Sequence, residues 1–449
     1  MMQMSVVQRI ILGNNANMVF IYDDRLLSEV YTLQYILSKN PVKKRGRGTF
    51  MKVLVVNCGS SSLKYQLFDM TDESVLAKGL VERIGIEGAR IKHVKTGMDT
   101  VIKNREISNH KVAFKVVVEA LLDSEHGVLK SLDELSAVGH RVVHAGERYA
   151  GSVLITHDVI DALEECVPLA PLHNPANLMG IYAVTEALPN IPQVGVFDTA
   201  FHQTMPGCAY MYGVPYHYYE KYKVRRYGFH GTSHFYVANR AAEILGKPIE
   251  SLNIVTCHMG NGSSLAAVKA GKSIDTSMGF SPLPGVIMGT RSGDVDPLLI
   301  SYLAEQEGID NKAMSHVLNK ESGLLGISGV SSDLRDIEEA ADGGNKRAKL
   351  AEEMLYYGVK KYIGSYAAAM GGIDVLVFTA GIGENSARAR EQICEGLEFM
   401  GIKLDKEKNN VRGKERIVSP DDSKAKVMVV PTDEELVIAR DTKRIVSIR

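Results

Sequence analysis

The chain has 449 residues, enough for two domains of ordinary size, each with its own core. Its formal charge of −1 at pH 7 gives no overall attraction to nucleic acid or to an anionic membrane, and no apolar run reaches the roughly eighteen residues of a membrane span. The five cysteines, Cys58, Cys166, Cys208, Cys257 and Cys394, form no CxxC pair, which suits a reducing cytoplasm and, for most of them, a role as small buried side chains.

Residues 1–50 do not match the rest of the chain. They lack a signal-peptide layout and carry Asp23, Asp24 and Glu29, which a transit peptide avoids. They end in KKRGRGTF, by composition a solvated linker or a basic arm. Lys, Arg and Gly also come from purine-rich codons, so the run is readable as a ribosome-binding site translated into protein. The expectation is an N-terminal extension, disordered or foreign to the native protein, with Met51 as the true start.

From Met51 the pattern alternates strand and helix, the mark of an α/β protein. Val53 to Leu67, VLVVNCGSSSLKYQL, reads as a strand, a turn of Asn57, Gly59 and three serines, and a second strand. Helical periodicity appears next at His110–Ser124, Val159–Val167, Pro175–Leu188 and His234–Leu245, with strands at Ala137–Val143 and Gln193–Asp198. Ile254 to Val268, IVTCHMGNGSSLAAV, repeats the strand, small-residue turn and strand. Later come helices at Pro297–Glu307 and Lys346–Met370, with strands at Val375–Thr379 and Lys426–Val430. Small residues let backbone N–H groups approach an anion, and hydroxyls add donors. Two such hairpins in matching context point to a duplicated fold that grips a polyphosphate from both sides.

Several strands run directly into polar residues, where open α/β sheets bind ligands. Arg291, in MGTRSGDVDP, is flanked by glycines and lacks the helix-face setting of a structural arginine. Arg141, in GHRVVHAGE, sits in a strand and reads either way. His230, in YGFHGTSH, is either a satisfied structural histidine or a site residue, with Thr232 or Ser233 expected to cap the next helix. Asp198 ends a strand and suits a magnesium water, a nucleophile or a plain turn. Glu434 reads as a first-turn helix carboxylate. GIGENSAR has the form of a nucleotide-binding turn, weak by itself.

Together these parts suit phosphoryl transfer, where positioning and charge neutralisation dominate. If the acceptor is an anion, two unit charges 4 Å apart repel by roughly 4 kcal/mol at a dielectric of 20. Arginine is the fitting counter-charge. A carboxylate acceptor is already deprotonated, which agrees with the shortage of a strong general base.

At this point the chain resembles the acetate kinases, members of the superfamily of acetate and sugar kinases, heat-shock chaperones and actin. The resemblance rests on NCGSSSLKYQLFD, GHRVVHAGE, LAPLHNP, VFDTAFH, RRYGFHGTSH, HMGNGSSLAAV, DTSMGFSPLPGVIMGTRSGDVDP, SGVSSDLRD, FTAGIGENS and PTDEELVIARDT, in order across nearly all of the chain after Met51. It implies a duplicated actin-like (ribonuclease H-like) two-domain α/β fold, with mixed β-sheets flanked by helices and a central active-site cleft. The domains would be 51–200 plus 436–449, and 201–435 as the nucleotide-binding part. The implied reaction is reversible transfer of the ATP γ-phosphoryl group to acetate, giving acetyl phosphate and ADP, with Mg2+ (Mn2+ substituting), in a cytoplasmic homodimer.

Residue by residue, the resemblance makes Arg141 and Arg291 the acetate-binding and charge-neutralising pair. His230 would bond the transferring phosphoryl group, with Asp198 beside the reacting centre. Asn57 and Glu434 would organise the metal. Ser60, Ser62, Lys64, His258, Asn261 and Gly262 would line the phosphate path, and Asp333, Leu334, Arg335, Gly381, Ile382 and Asn385 would border the adenosine. Val143, Leu172 and Pro282 would enclose the acetate methyl. Two other readings are a propionate or butyrate kinase with a larger pocket and a non-catalytic actin-like nucleotide binder. The arginine pair and small pocket argue against the second.

Overall fold

The computed structural model describes residues 51–171 and 173–448. The expectation for residues 1–50, and Leu172 among the pocket residues, lie outside the described residues.

Strands β1 (Lys52–Gly59), β2 (Ser62–Asp69), β3 (Ser74–Glu82), β4 (Arg90–Lys95), β5 (Val101–Asn104), β6 (Leu135–Val142), β7 (Val153–Leu154) and β8 (Gln193–Phe197) form one sheet, ordered β5-β4-β3-β2-β1-β6-β8-β7. Strands β9 (Asn253–Met259), β10 (Ser263–Lys269), β11 (Lys272–Thr276), β12 (Val375–Thr379), β13 (Arg416–Ile417) and β14 (Lys426–Val429) form a second, ordered β11-β10-β9-β12-β14-β13. In each, the opening strand pairs antiparallel with its hairpin partner and parallel with a later strand: β1 with β2 and β6, β9 with β10 and β12. A third antiparallel strand (β3, β11) and a second parallel one (β8, β14) complete each set. The same order and directions occurring twice make this a duplicated, actin-like α/β fold.

The helices that bear on the site are α1 (His110–Leu121), α2 (Asn174–Ala187), α3 (Gly231–Leu245), α4 (Leu334–Asp342), α5 (Lys346–Met370), α6 (Ala380–Asn385) and α7 (Glu434–Ser447). The period-2 alternation of a strand puts neighbouring residues on opposite faces, and both faces of each sheet are covered. Leu54 and Val56 of β1 pack with Phe114 and Val117 of α1 and Val184 of α2. Val53 and Val55 point the other way, into a cluster with Phe68, Val194 and Val196 closed by Ile438 and Ala439 of α7. In the second sheet Val255 and Cys257 meet Leu355, Val359 and Ile363 of α5, while Ile254 and Val375 meet Val237, Ala238 and Ala241 of α3.

The Pro297–Glu307 and Lys346–Met370 helices keep the bounds their periodicity predicts. Asp296 and Asn345 cap them with side-chain oxygens, and Gly308 and Gly371 end them at φ 63° and 82°. One local expectation fails: Asn57 and Gly59 belong to β1, and the turn is confined to Ser60 and Ser61. Pairing of Gly59 with Ser62 extends the ladder almost to the tip.

Candidate active site

The carboxyl ends of the parallel strands carry the chemistry. Arg141 lies near the end of β6, and Asp198 directly follows β8. The parallel register pairs Arg141 with Val196 and Val142 with Phe197, bringing two residues far apart in sequence side by side. Arg141 donates from Nε to Asp198 Oδ1 (3.0 Å) and from Nη2 to Oδ2 (2.7 Å), a bidentate pair. Asp198 is 2 % exposed. Its carboxylate, and then that of Glu434 at 3.8 Å from Arg141, holds the guanidinium firmly charged against the cost of burial. A strand-end position alone allows Asp198 to hold a magnesium water, orient a nucleophile or serve as a turn carboxylate; in the folded chain it grips Arg141.

The backbone of Asp198 also anchors His230. Its carbonyl accepts from Gly231 N–H (2.9 Å), and a Cβ at Gly231 would come within 2.3 Å of that oxygen. His230 therefore begins α3 at φ 57°, a left-handed conformation rare outside glycine and typical of functional sites. This corrects the expected cap: neither Thr232 nor Ser233 caps α3, and the N-cap is His230 itself. Ser233 instead hydrogen-bonds His258 Nδ1 (2.8 Å) and accepts from Thr432 Oγ1 (2.8 Å).

The rings of His230 and His258 stack at 4.1 Å. Burial, and then the charges of neighbouring histidines and of Arg141 and Arg291, push the His230 pKa well below the ordinary histidine value. Burial takes His258 down to about 3. Both are neutral at pH 7, where each presents one N–H donor.

Arg291 is carried by a separate loop. Its loop is pinned to the second hairpin, since Asn261 carbonyl accepts from Gly289 N–H (3.1 Å). A Cβ at Gly289 would fall 2.0 Å from Asn261 Oδ1, so glycine is required there. Arg291 Nη1 donates to Pro282 carbonyl (3.2 Å) and lies 3.7 Å from Met288 Sδ; no ion pair of Arg291 occurs among the described residues. The Cβ position of Gly262 is 3.4 Å from Arg291 Nη1 and 3.6 Å from His230 Nε2. A bare glycine thus leaves room where a cation and an imidazole converge.

The first hairpin is held from behind. His110 Nε2 bonds Gly59 carbonyl (2.7 Å), and Asn177 Nδ2 donates to Cys58 carbonyl (3.1 Å) while its Oδ1 accepts from Val143 N–H (3.0 Å). In register, Asn57 pairs with Lys64 and Gly59 with Ser62. Ser60 and Lys64 are exposed. Glu434 opens α7 behind its cap, Asp433. Burial pushes the Glu434 pKa up to about 7 even though Arg141 opposes the shift, so its charge lacks a full partner.

No group of three His, Cys, Asp or Glu suited to a metal occurs among the described residues. The half-compensated Glu434 carboxylate fits a magnesium ion that brings phosphate and water ligands with it, rather than an all-protein cage.

Val143 packs with Phe229, Met278 and Met288 in a small apolar cluster, with Pro282 joined to it through Arg291. In the segment expected to border adenosine, Asp333 caps α4 and holds Arg335 by its own carboxylate. Leu334 turns into the core at 3 % exposure. Asn385 Nδ2 donates to Gly381 carbonyl (2.9 Å) within α6, which also contains Ile382. Behind this turn the fully buried Arg390 donates to Gly383, Asn409 and Val411 carbonyls and to Asn409 Oδ1.

Known proteins are similar to this chain in sequence and fold. Residues 52–440 match the model of the acetokinase family. This chain belongs to that family. It is 62 % identical over 396 residues to acetate kinase of Alkaliphilus metalliredigens, covering 88 % of this chain and 100 % of the relative. Among solved structures it is similar to acetate kinase of Porphyromonas gingivalis, with a TM-score of 0.85 and 53 % identity over 88 % of this chain and 99 % of that one. It is also similar to a propionate kinase from Francisella tularensis, with a TM-score of 0.82 and 41 % identity over 88 % and 100 %.

In this member of the acetokinase family the structure adds residues that sequence reasoning misses. His173 precedes α2, and burial lowers its pKa, with Asp198, Arg141, Arg291 and Lys320 the charges that act on it. The LHNP stretch is the only sequence signal for it, and there the apolar Leu172 is the residue that suits a methyl pocket. Phe229, Met278 and Met288 give no local sign that they pack with Val143. Asn177 is visible only through its bonds.

Proposed function

We propose that this chain is an acetate kinase: it transfers the γ-phosphoryl group of ATP to acetate and reverses that transfer from acetyl phosphate and ADP. The observation that carries the reading is Arg291, a cation with no described ion-pair partner, converging with neutral His230 on the glycine of the second hairpin. The acetate carboxylate attacks the γ-phosphorus in line; the new O–P bond forms as the bond to the β,γ-bridging oxygen breaks, and ADP leaves with the electron pair. No general base is needed, because the acceptor is already ionised.

Arg291 neutralises charge between donor and acceptor, and Arg141, oriented by Asp198, holds the carboxylate from the other side. His230 and His258 donate to phosphoryl oxygens. Ser60, Ser62 and Lys64 meet the phosphates from the first hairpin, opposite Asn261 and Gly262. Asn57 and Glu434 would hold magnesium, which when bound offsets phosphate charge. Asp333, Leu334, Arg335, Gly381, Ile382 and Asn385 border the adenosine.

We also propose that 51–200 with 436–449 and 201–435 act as two lobes that close over substrate and exclude water. The packing of α7 on the first sheet supports that division. The helix Pro297–Glu307 buries none of its residues and exposes Leu298 and Tyr302, which supports a homodimer. No helix among the described residues is long and apolar enough to cross a membrane. All five cysteines are free thiols, which supports placing the enzyme in a reducing cytoplasm. The test is acetyl hydroxamate formation from ATP, Mg2+, acetate and hydroxylamine. No product, or a kcat/KM for propionate at or above that for acetate, would overturn the assignment.

A further inference from the structure

Behind His230 lies a line of buried side chains that the reaction itself does not use. His230 Nδ1 is 2.8 Å from Ser264 Oγ, Ser264 Oγ is 2.8 Å from His234 Nε2, and His234 Nδ1 is 2.7 Å from Thr256 Oγ1. The elements fix the spacing. His230 and His234 stand one turn apart on α3, while Thr256 and Ser264 lie on the paired strands β9 and β10 beneath it. His234, Thr256 and Ser264 are all fully buried, so water does not complete their bonding.

Each imidazole, neutral in this setting, donates from one nitrogen and accepts at the other, and each hydroxyl has one proton to give. The line therefore has two possible directions. The far end decides between them. Among the described residues, the Thr256 side chain makes no hydrogen bond other than the one to His234. If His234 Nδ1 donated to Thr256, the buried hydroxyl proton would have no acceptor, a costly arrangement. Thr256 must therefore donate to His234 Nδ1. His234 Nε2–H then donates to Ser264, and Ser264 donates its own proton to His230 Nδ1. The His230 proton is left on Nε2, the nitrogen that faces Gly262 beside Arg291 and has no hydrogen-bond partner among the described residues.

We propose that Thr256, His234 and Ser264 are positioning residues that lock neutral His230 in its Nε2–H tautomer, so that it always meets the phosphoryl group as a donor. This rests on the proposed role of His230 in phosphoryl transfer. The alternative tautomer would aim a lone pair at an anion. The lock makes the donor available without charging the ring, and it acts from a threonine three hydrogen bonds away from the cleft.

Neutron diffraction from a deuterium-exchanged crystal of the full chain tests the direction. Deuterons on His230 Nε2 and His234 Nε2, with both Nδ1 atoms bare, are expected; a deuteron on His230 Nδ1 would overturn the proposal. Thr256→Val keeps the shape and removes the deciding proton. It should lower kcat by the fraction of protein left in the wrong tautomer, about two- to fivefold, with KM for ATP and acetate unchanged. Thr256→Ser should restore both the rate and the tautomer. A Thr256→Val enzyme with wild-type kcat would refute the coupling. The wild-type deuteron positions stand even if that variant fails to fold. They also need no turnover, so absence of acetyl phosphate formation would defeat the functional reading while leaving the lock to be judged separately.

Discussion

Replacing Arg291 by alanine separates catalysis from folding more cleanly than any other change in the site. The side chain bonds one neutral carbonyl and touches one sulfur, with no ion pair among the described residues. Its loss should therefore cost the folded state only about 1–2 kcal/mol. Burial already disfavours its charge, so the guanidinium gains most when an anion reaches it. A transition-state arginine in phosphoryl transfer is worth about 10³–10⁵ in rate, or roughly 4–7 kcal/mol. The kcat of Arg291→Ala should fall by that factor, while ATP affinity, which the proposed function assigns to the hairpins and the Gly381–Asn385 turn, changes little. Coupled detection of ADP gives kcat and KM, nucleotide titration gives affinity, and thermal melting reports the fold. A loss below about tenfold, in a variant that melts like the wild type, would remove Arg291 from the charge-neutralising role.

Arg141→Ala should behave differently, because it strands the buried Asp198 carboxylate: activity falls and stability drops by about 3–5 kcal/mol. The double variant with Asp198→Ala should regain much of that stability in urea unfolding but none of the activity; equal stability of the single and double variants would refute the pairing argument. Val143→Ala should raise the propionate-to-acetate ratio of kcat/KM about tenfold, since one methylene in an apolar pocket is worth about 1–3 kcal/mol; an unchanged ratio would remove Val143 from the pocket. Stability should also fall as the solution is acidified. Burial lowers His140, His144 and His202 to about 4 and His258 to about 3, with His230 and His234 well below their ordinary value. The unfolded chain binds these protons first, so stability is intact above about pH 6.5 and is lost as pH falls toward the folded values. Each group contributes up to about 1.4 kcal/mol per pH unit. Urea unfolding between pH 7 and 5 measures this, and a flat profile would contradict neutral burial.

What the sequence makes legible is mostly local. The two hairpins announce themselves through glycine and serine between strands, and Pro297–Glu307 and Lys346–Met370 through a 3.6-residue period closed by caps. Arg141, Asp198, His230, Arg291, Asn57 and Glu434 stand out together from motifs and resemblance. How they act on one another is not legible. The Arg141–Asp198 pair depends on the register of β6 against β8. The left-handed His230 depends on contact between Gly231 and the Asp198 carbonyl. Thr232 and Ser233 look like caps by composition, yet a partner on β9 recruits Ser233 across the fold. Leu334 carries no local sign that it belongs to the core.

The packing of α7 reverses the order of synthesis and completion. Strands β1 to β8 leave the ribosome early, yet one face of their sheet, with Val53, Val55, Val194 and Val196, is covered by Ile438 and Ala439 at the far end of the chain. More than two hundred residues separate Phe197 from that helix. At about 5–20 residues per second, the nascent sheet waits tens of seconds with an apolar face bare. The half that is made first is finished last, and its apolar face is most open to aggregation in that interval.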